Sequence, residues 1–217
     1  DEDLIEREEM VVTVTSGGYI KRTALTGFRQ QRRGGKGLSS MATKEEDVVT
    51  TLFVANTHTQ LLFFTTDGMA YKLKCWQLPL GSRTAKGKAI VNILPIVPGI
   101  TIAAIMPVDR AEAEWDDLQV VFATSKGTVR RNKLSDFTNV NRAGKIAMKF
   151  EDDQADNTLI NARIASNDDD VMLVTNSGRA IRFPATDVRI FNSRGSVGVR
   201  GIRLHGDDKV VSMSIIP

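Results

Sequence analysis

Thr65-Thr66-Asp67-Gly68-Met69-Ala70-Tyr71-Lys72 decides the fold, because the pattern does not stand alone. A threonine, a glycine three positions on, then a cation three or four positions after the glycine: the same order returns elsewhere. It is seen in Thr15-Ser16-Gly17-Gly18-Tyr19-Ile20-Lys21-Arg22 and in Thr124-Ser125-Lys126-Gly127-Thr128-Val129-Arg130-Arg131. The last copy is Thr175-Asn176-Ser177-Gly178-Arg179-Ala180-Ile181-Arg182. Four copies at intervals of about 50 to 60 residues describe a repeat architecture, and that period suits propeller-type blades.

Each glycine closes a short apolar run: Val11–Val14, Leu61–Phe64, Val120–Ala123 and Val171–Val174. Runs of this kind bounded by turn residues read as strands, and the glycine supplies the positive φ of a tight hairpin. After the turn the side chains alternate. Tyr71, Leu73 and Cys75 fall on one side, Lys72, Lys74 and Trp76 on the other, as a half-buried strand requires. A further strand precedes most hairpins: Val48–Val54, Ile100–Met106, Leu159–Ile164 and Val210–Ile216. Read as a leading strand, it is missing from the first repeat. The last copy then either closes a ring onto that repeat or opens another blade, and the second is favoured because four blades make an unusually small ring. The expected class is all-β, a single domain over residues 10–217 with repeats near 10–60, 61–117, 118–170 and 171–217. Residues 1–9, acidic and helix-compatible, read as a linker, and the opening Asp1 in place of Met reads as a piece of a longer chain.

At 217 residues, 41% hydrophobic and 25% charged, the chain has the composition of a globular protein with a sizeable core. No apolar run approaches the roughly 20 residues that span a bilayer as a helix, and no signal peptide opens the sequence. Cys75, the single cysteine, excludes an internal disulfide framework, fits a reducing cytoplasm and reads as a packed position. His58 and His205 lack partners at metal-ligand spacing. Tyr19 and Tyr71, each following a hairpin glycine, read as packed in blades; Trp115-Asp116 does not recur. No nucleophile–base constellation, metal site or cofactor motif can be read from spacing.

The net charge of +3 says little; its distribution says more. From Met10 to Lys44 no acid occurs, while Lys21, Arg22, Arg29, Arg32, Arg33, Lys36 and Lys44 do. The second repeat carries Lys72, Lys74, Arg83, Lys86 and Lys88, and the third Lys126, Arg130, Arg131, Lys133, Arg142, Lys145 and Lys149. The fourth carries Arg179, Arg182, Arg189, Arg194, Arg200 and Arg203. Acids gather instead in 45–47, 109–117, 151–156, 168–170 and 207–208. Equivalent positions of a repeat occupy equivalent places, so these bases are expected to form a continuous belt, the footprint of a polyanion-binding surface.

Gln31-Arg32-Arg33-Gly34-Gly35-Lys36-Gly37 stands apart, with three cations and three glycines in seven residues. Glycines there let the backbone approach a phosphate, with N–H groups forming an anion-binding concavity beside the cations. Degenerate copies follow as Arg83-Thr84-Ala85-Lys86-Gly87, Arg142-Ala143-Gly144-Lys145 and Arg194-Gly195-Ser196. Arg33, Arg83 and Arg142 lie fifteen residues past their turn glycine and Arg194 sixteen. Lys36 is followed by Gly37, so this is no Walker loop.

The heptapeptide resembles the GyrA box, the signature of the C-terminal domain of the DNA gyrase A protein. Val54–His58 and Gly198–Leu204 are similar to the same family, and the likeness covers essentially the whole chain. The resemblance implies a six-bladed, strand-exchanged β-pinwheel, of which this chain supplies about four blades. It implies a bacterial, cytoplasmic, nucleoid-associated protein whose basic perimeter wraps double-stranded DNA. It further implies an A2B2 tetramer with the rest of the gyrase A protein and with the gyrase B protein, in which the wrap serves ATP-driven negative supercoiling. ATP and Mg bind, and the breakage–rejoining chemistry occurs, elsewhere in that tetramer; no membrane is involved. Carried over by position, Gln31, Arg32, Arg33, Gly34, Gly35, Lys36 and Gly37 are the box. By analogy the DNA contacts extend to Lys21, Arg22, Lys72, Lys74, Arg83, Lys86, Lys88, Arg130, Arg131, Lys133, Arg142, Lys145, Arg182, Arg194, Arg200 and Arg203. Two other readings stay open: the corresponding C-terminal domain of topoisomerase IV, and a protein-interaction propeller.

Overall fold

The computed structural model describes residues 1–28, 47–150, 156–192 and 198–217, and the chain is all-β. Each repeated octapeptide forms a hairpin. The first joins β1 (Glu9–Thr15) to β2 (Tyr19–Ala24), the second β4 (Gln60–Thr65) to β5 (Met69–Lys74). The third joins β8 (Gln119–Thr124) to β9 (Thr128–Lys133), the fourth β12 (Asp170–Thr175) to β13 (Ala180–Pro184). Gly18, Gly68, Gly127 and Gly178 all have φ between +84° and +91°, and each donates its N–H to the carbonyl of the threonine three residues before it. The threonine hydroxyl accepts as well, from the N–H of Tyr19, Met69, Thr128 or Arg179 at 3.1–3.2 Å. That bond explains the threonine in the repeat: it closes the turn from the side-chain side.

The apolar strands expected to lead each hairpin in fact follow the hairpin they pair with. β3 (Val49–Asn56) pairs with β1, β11 (Leu159–Ala165) with β8, and β15 (Val210–Ile216) with β12, while β7 (Ile102–Val108) neighbours β4. The first repeat therefore has its third strand in β3, and Val210–Ile216 is the third strand of the fourth hairpin's sheet. A fourth strand comes from the next repeat. β6 (Lys88–Ala89) pairs with β2, β10 (Lys145–Ile146) with β5, and β14 (Val199–Arg200) with β9. Among the described residues three sheets thus have four strands, in the orders β3-β1-β2-β6, β7-β4-β5-β10 and β11-β8-β9-β14, and the last has three, β15-β12-β13. Strand exchange between repeats is the defining topology.

The chain divides into two compact units. One comprises Asp1–Leu61, Lys72–Gly99 and Pro107–Asp109 and holds the first sheet, with Met10, Val11, Val12 and Ile20 buried in it. Its opening residues are hydrogen-bonded in place. Thr57 Oγ1 donates to the Glu6 carbonyl at 2.7 Å, and the Thr57 N–H to that of Glu8 at 2.9 Å. His58 Nε2 lies 2.7 Å from the Ile5 carbonyl, which can only accept, so that nitrogen carries the proton. Glu2 lies 3.4 Å from His58 Nδ1 and 3.0 Å from Lys74 Nζ.

The other unit comprises Leu62–Tyr71, Ile100–Met106 and Arg110–Pro217. Phe64, Phe122 and Phe137 meet edge to face with centroids 5.1–5.9 Å apart, and Val121, Val129, Leu173, Val210 and Met213 form a further buried cluster. Trp115 is fully buried, with Nε1 donating to the Arg110 carbonyl at 2.9 Å. The alternation expected through Trp76 stops at Lys74, because Cys75–Gln77 is a 3-10 turn. Cys75 is fully buried, and burial pushes its thiol up to about 11.

Candidate nucleic-acid interface

The loops that lead into the exchanged strands carry the degenerate basic copies, and their geometry begins with glycine. Gly87, Gly144 and Gly198 each immediately precede an exchanged strand, with φ of +86°, +92° and +109°. A Cβ at Gly87 would stand 2.5 Å from the Ile20 carbonyl oxygen, and one at Gly198 2.7 Å from that of Val129. At Gly144 it would meet the Tyr71 ring at 2.7 Å. These glycines are needed to seat the exchanged strand against its neighbour, which is a different reason from phosphate approach. Ile90, Ala147 and Gly201 then donate their N–H to the carbonyls of hairpin glycines Gly18, Gly68 and Gly127 at 2.8 Å.

Four cations assigned to a DNA surface by the periodic reading belong instead to the interior: Lys21, Arg83, Arg130 and Arg131 are at most 5% exposed. Lys21, Arg130 and Arg131 have interior partners. Lys21 Nζ donates to the carbonyls of Ser82, Arg83 and Ala85 at 3.0, 2.6 and 2.7 Å, binding the loop of the next repeat. Burial, and then the Arg83 charge beside it, hold that ammonium below its ordinary range. Arg131 Nε donates to the Val188 carbonyl at 2.6 Å, and Nη1 to the side-chain oxygens of Gln119 and Asn167. Arg130 Nε donates to Asn132 Oδ1, and its guanidinium lies 5.3 Å from the Phe191 ring centroid. Arg22, half-buried, repeats the Arg131 bond on the Leu78 carbonyl at 2.9 Å. Lys145 is likewise turned inward, Nζ donating to the carbonyls of Asp136 and Asn139. Charge periodicity therefore mixes two populations: cations that clamp the following repeat, and cations that face water.

The second population is Lys86, Lys88, Lys133, Arg142, Arg182, Arg200 and Arg203, all exposed. Lys86 Nζ stands 4.0 Å from the Tyr19 ring centroid, and Arg182 Nε pairs with Asp170 at 2.7 Å. Lys72 and Lys74 are half-buried, the latter held by Glu2. Arg189, counted among the fourth repeat's bases but not among the DNA contacts carried over by analogy, is exposed with its guanidinium 4.6 Å from the Phe191 ring centroid. Arg83 is buried and Arg142 exposed, so the arginine fifteen residues past the turn glycine is not a uniform surface position. Gln31, Arg32, Arg33, Gly34, Gly35, Lys36 and Gly37 lie outside the described residues, as does Arg194.

The acids that precede the third strand of a sheet cap the turn glycine's neighbours. Asp47 Oδ1 accepts the Gly17 N–H at 2.8 Å, and Asp208 accepts from the Ser177 N–H and hydroxyl. Asn157 does the same at the third hairpin, accepting from the Ser125 hydroxyl and the Lys126 N–H. Among the described residues no group of three or more His, Cys, Asp or Glu is placed to hold a metal, and no helix is long and apolar enough to cross a membrane.

Exchanged edge strands, a recurrent Thr–Gly hairpin and exposed cations in the connecting loops define a strand-exchanged β-propeller repeat domain with basic loops. Comparison with known proteins narrows this. The family model "DNA gyrase C-terminal domain, beta-propeller" matches residues 9–56, 59–95, 119–164 and 169–217, and the chain belongs to that family. The DNA gyrase A protein of Rickettsia bellii is 47% identical over 215 residues, 99% of this chain and 23% of that protein. Its Escherichia coli counterpart is 43% identical over 216 residues, so the chain spans about a quarter of the length of these relatives. Among solved structures, the C-terminal domain of DNA topoisomerase IV is similar with TM-score 0.79 and 25% identity, over 99% of this chain and 63% of that one. The DNA gyrase A C-terminal domain is similar with TM-score 0.68 and 25% identity, over 95% of this chain and 64% of that one.

Proposed function

We propose that this chain binds and wraps duplex DNA as the C-terminal domain of a bacterial DNA gyrase A protein, and is itself non-catalytic. The observation that carries this reading is the exposure of Lys86, Lys88, Arg142, Arg200 and Arg203 in and beside the loops that end in exchanged strands. These exposed cations lie on strands and loops, and cations so placed contact phosphates without reading sequence. Bending 20–30 base pairs by 40–90° costs on the order of 1–6 kcal/mol, so several loops must engage one duplex together. The box Gln31–Gly37 is proposed as the strongest of these contacts. In the A2B2 holoenzyme, in the bacterial cytoplasm, the wrap would present a neighbouring DNA segment for strand passage during ATP-driven negative supercoiling. Neither ATP nor Mg is assigned to this chain.

The backbone likeness to the topoisomerase IV domain supports a second reading, as the matching domain of that enzyme; the intact seven-residue box favours gyrase. The test is topological. Nicked circles are ligated with increasing protein bound, and their linking number is read after deproteinisation. A shift that grows with occupancy is expected. Circles indistinguishable from the protein-free control, under conditions where a gel shift proves binding, would rule out the wrap.

A further inference from the structure

Arg83 is 2% exposed, and its Nε and Nη1 meet no hydrogen-bond acceptor among the described residues. The guanidinium lies 4.8 Å from the Phe28 ring centroid, and its neighbour Lys21 has committed its ammonium protons to three backbone carbonyls. Two buried cations thus stand side by side. A buried charge without a partner costs several kcal/mol, and a native fold that keeps one calls for a compensating group. Beside them is a cavity of about 30 Å³ whose lining includes Thr13, Thr15, Lys21, Asp47, Arg83 and Lys86. Its charges are three cations against one carboxylate, and the Asp47 carboxylate is already held by the Gly17 N–H and the Ser16 hydroxyl. A water-sized body needs roughly 10–15 Å³, so the cavity has the size of a monatomic ion and not of a phosphate group with its ester oxygens.

We infer that this cavity is a binding site for one small monovalent anion of the chloride class. The anion compensates the Lys21–Arg83 pair inside the fold and fixes the loop that carries Lys86 and Lys88. The inference is independent of the DNA reading, since every measurement below is made without DNA.

Thermal unfolding of the 217-residue chain is followed as chloride replaces glutamate, an anion too large for the cavity, at constant ionic strength and pH. Once the site is saturated, Tm should rise by roughly 3–6 °C per tenfold increase in chloride, by mass action. Arg83→Met should abolish that dependence, while Arg163→Met, which removes an exposed cation of β11, should keep it. Should Arg83→Met fail to fold, crystals of the unaltered chain grown in bromide answer directly. An anomalous peak beside Arg83 and Lys21 supports the site. A Tm indifferent to the exchange of chloride for glutamate, or bromide peaks confined to the surface, overturns it.

Discussion

Removing the Arg131 guanidinium would strand the Val188 carbonyl and the buried Gln119 side-chain oxygen, both of which now accept from it. Asn167, which is exposed, would turn to water. Arg131→Met should therefore cost about 2–4 kcal/mol in urea unfolding, whereas Arg142→Met, at an exposed position, should stay within about 0.5 kcal/mol. The same contrast should invert in DNA affinity, where Arg142 matters and Arg131 does not. Cys75 gives a pH-dependent counterpart. Its thiol is pushed up to about 11 by burial, from an ordinary 9.0. Between those values the unfolded chain has lost the proton and the folded chain keeps it, so stability is fully present below pH 9 and falls as pH rises toward 11. Denaturant titrations of Cys75→Ala should lack this alkaline decline, about 2–3 kcal/mol of it.

At the level of elements, two glycines of similar φ should respond differently to alanine. A Cβ at Gly18 meets no atom within 4 Å, so only the left-handed backbone is penalised, by about 1–2 kcal/mol. At Gly87 the same backbone penalty is joined by a 2.5 Å clash with the Ile20 carbonyl. Gly87→Ala should unseat β6 and raise amide exchange in β2, while Gly18→Ala should leave β6 paired. Another element-level expectation concerns the segment before β1: His58→Ala should speed exchange at Ile5 and Glu8 by removing the Nε2 bond to Ile5. The hairpins were legible because positive φ leaves a glycine in the sequence. Exchange came only with the family resemblance and not from periodicity, since β6, β10 and β14 are two residues long and show no period of their own. The direction of the long strand was missed for a related reason: Val210–Ile216 has the same alternation whichever hairpin it joins.

For the whole molecule, the exposed cations predict how salt acts. Each phosphate neutralised contributes about −0.9 to the slope of log affinity against log salt. Neutralising Lys88, Arg142 and Arg200 together should flatten that slope by up to about 2.7, with little change in the unfolding midpoint. A slope unchanged in the triple variant would remove these residues from the interface. Charge alone marked the cations, among which Lys86, Lys88, Lys133, Arg142, Arg182, Arg200 and Arg203 prove exposed. It did not set apart Lys21, Arg83, Arg130 and Arg131, because an arginine that clamps a carbonyl and one that faces water look alike in sequence; only burial separates Arg131 from Arg200.

Borrowed edge strands also set a timetable for synthesis. The first sheet has three of its strands once Asn56 has been made, but the fourth ends at Ala89, 33 residues later. At roughly 5–20 residues per second on the ribosome, that leaves the flank of β2 bare for seconds in every nascent chain. An unpaired flank is an invitation to foreign strands, and Lys21 and Arg22 on β2 are charges of the kind that discourage them. The cations that later anchor the incoming repeat can thus guard the seam until it arrives.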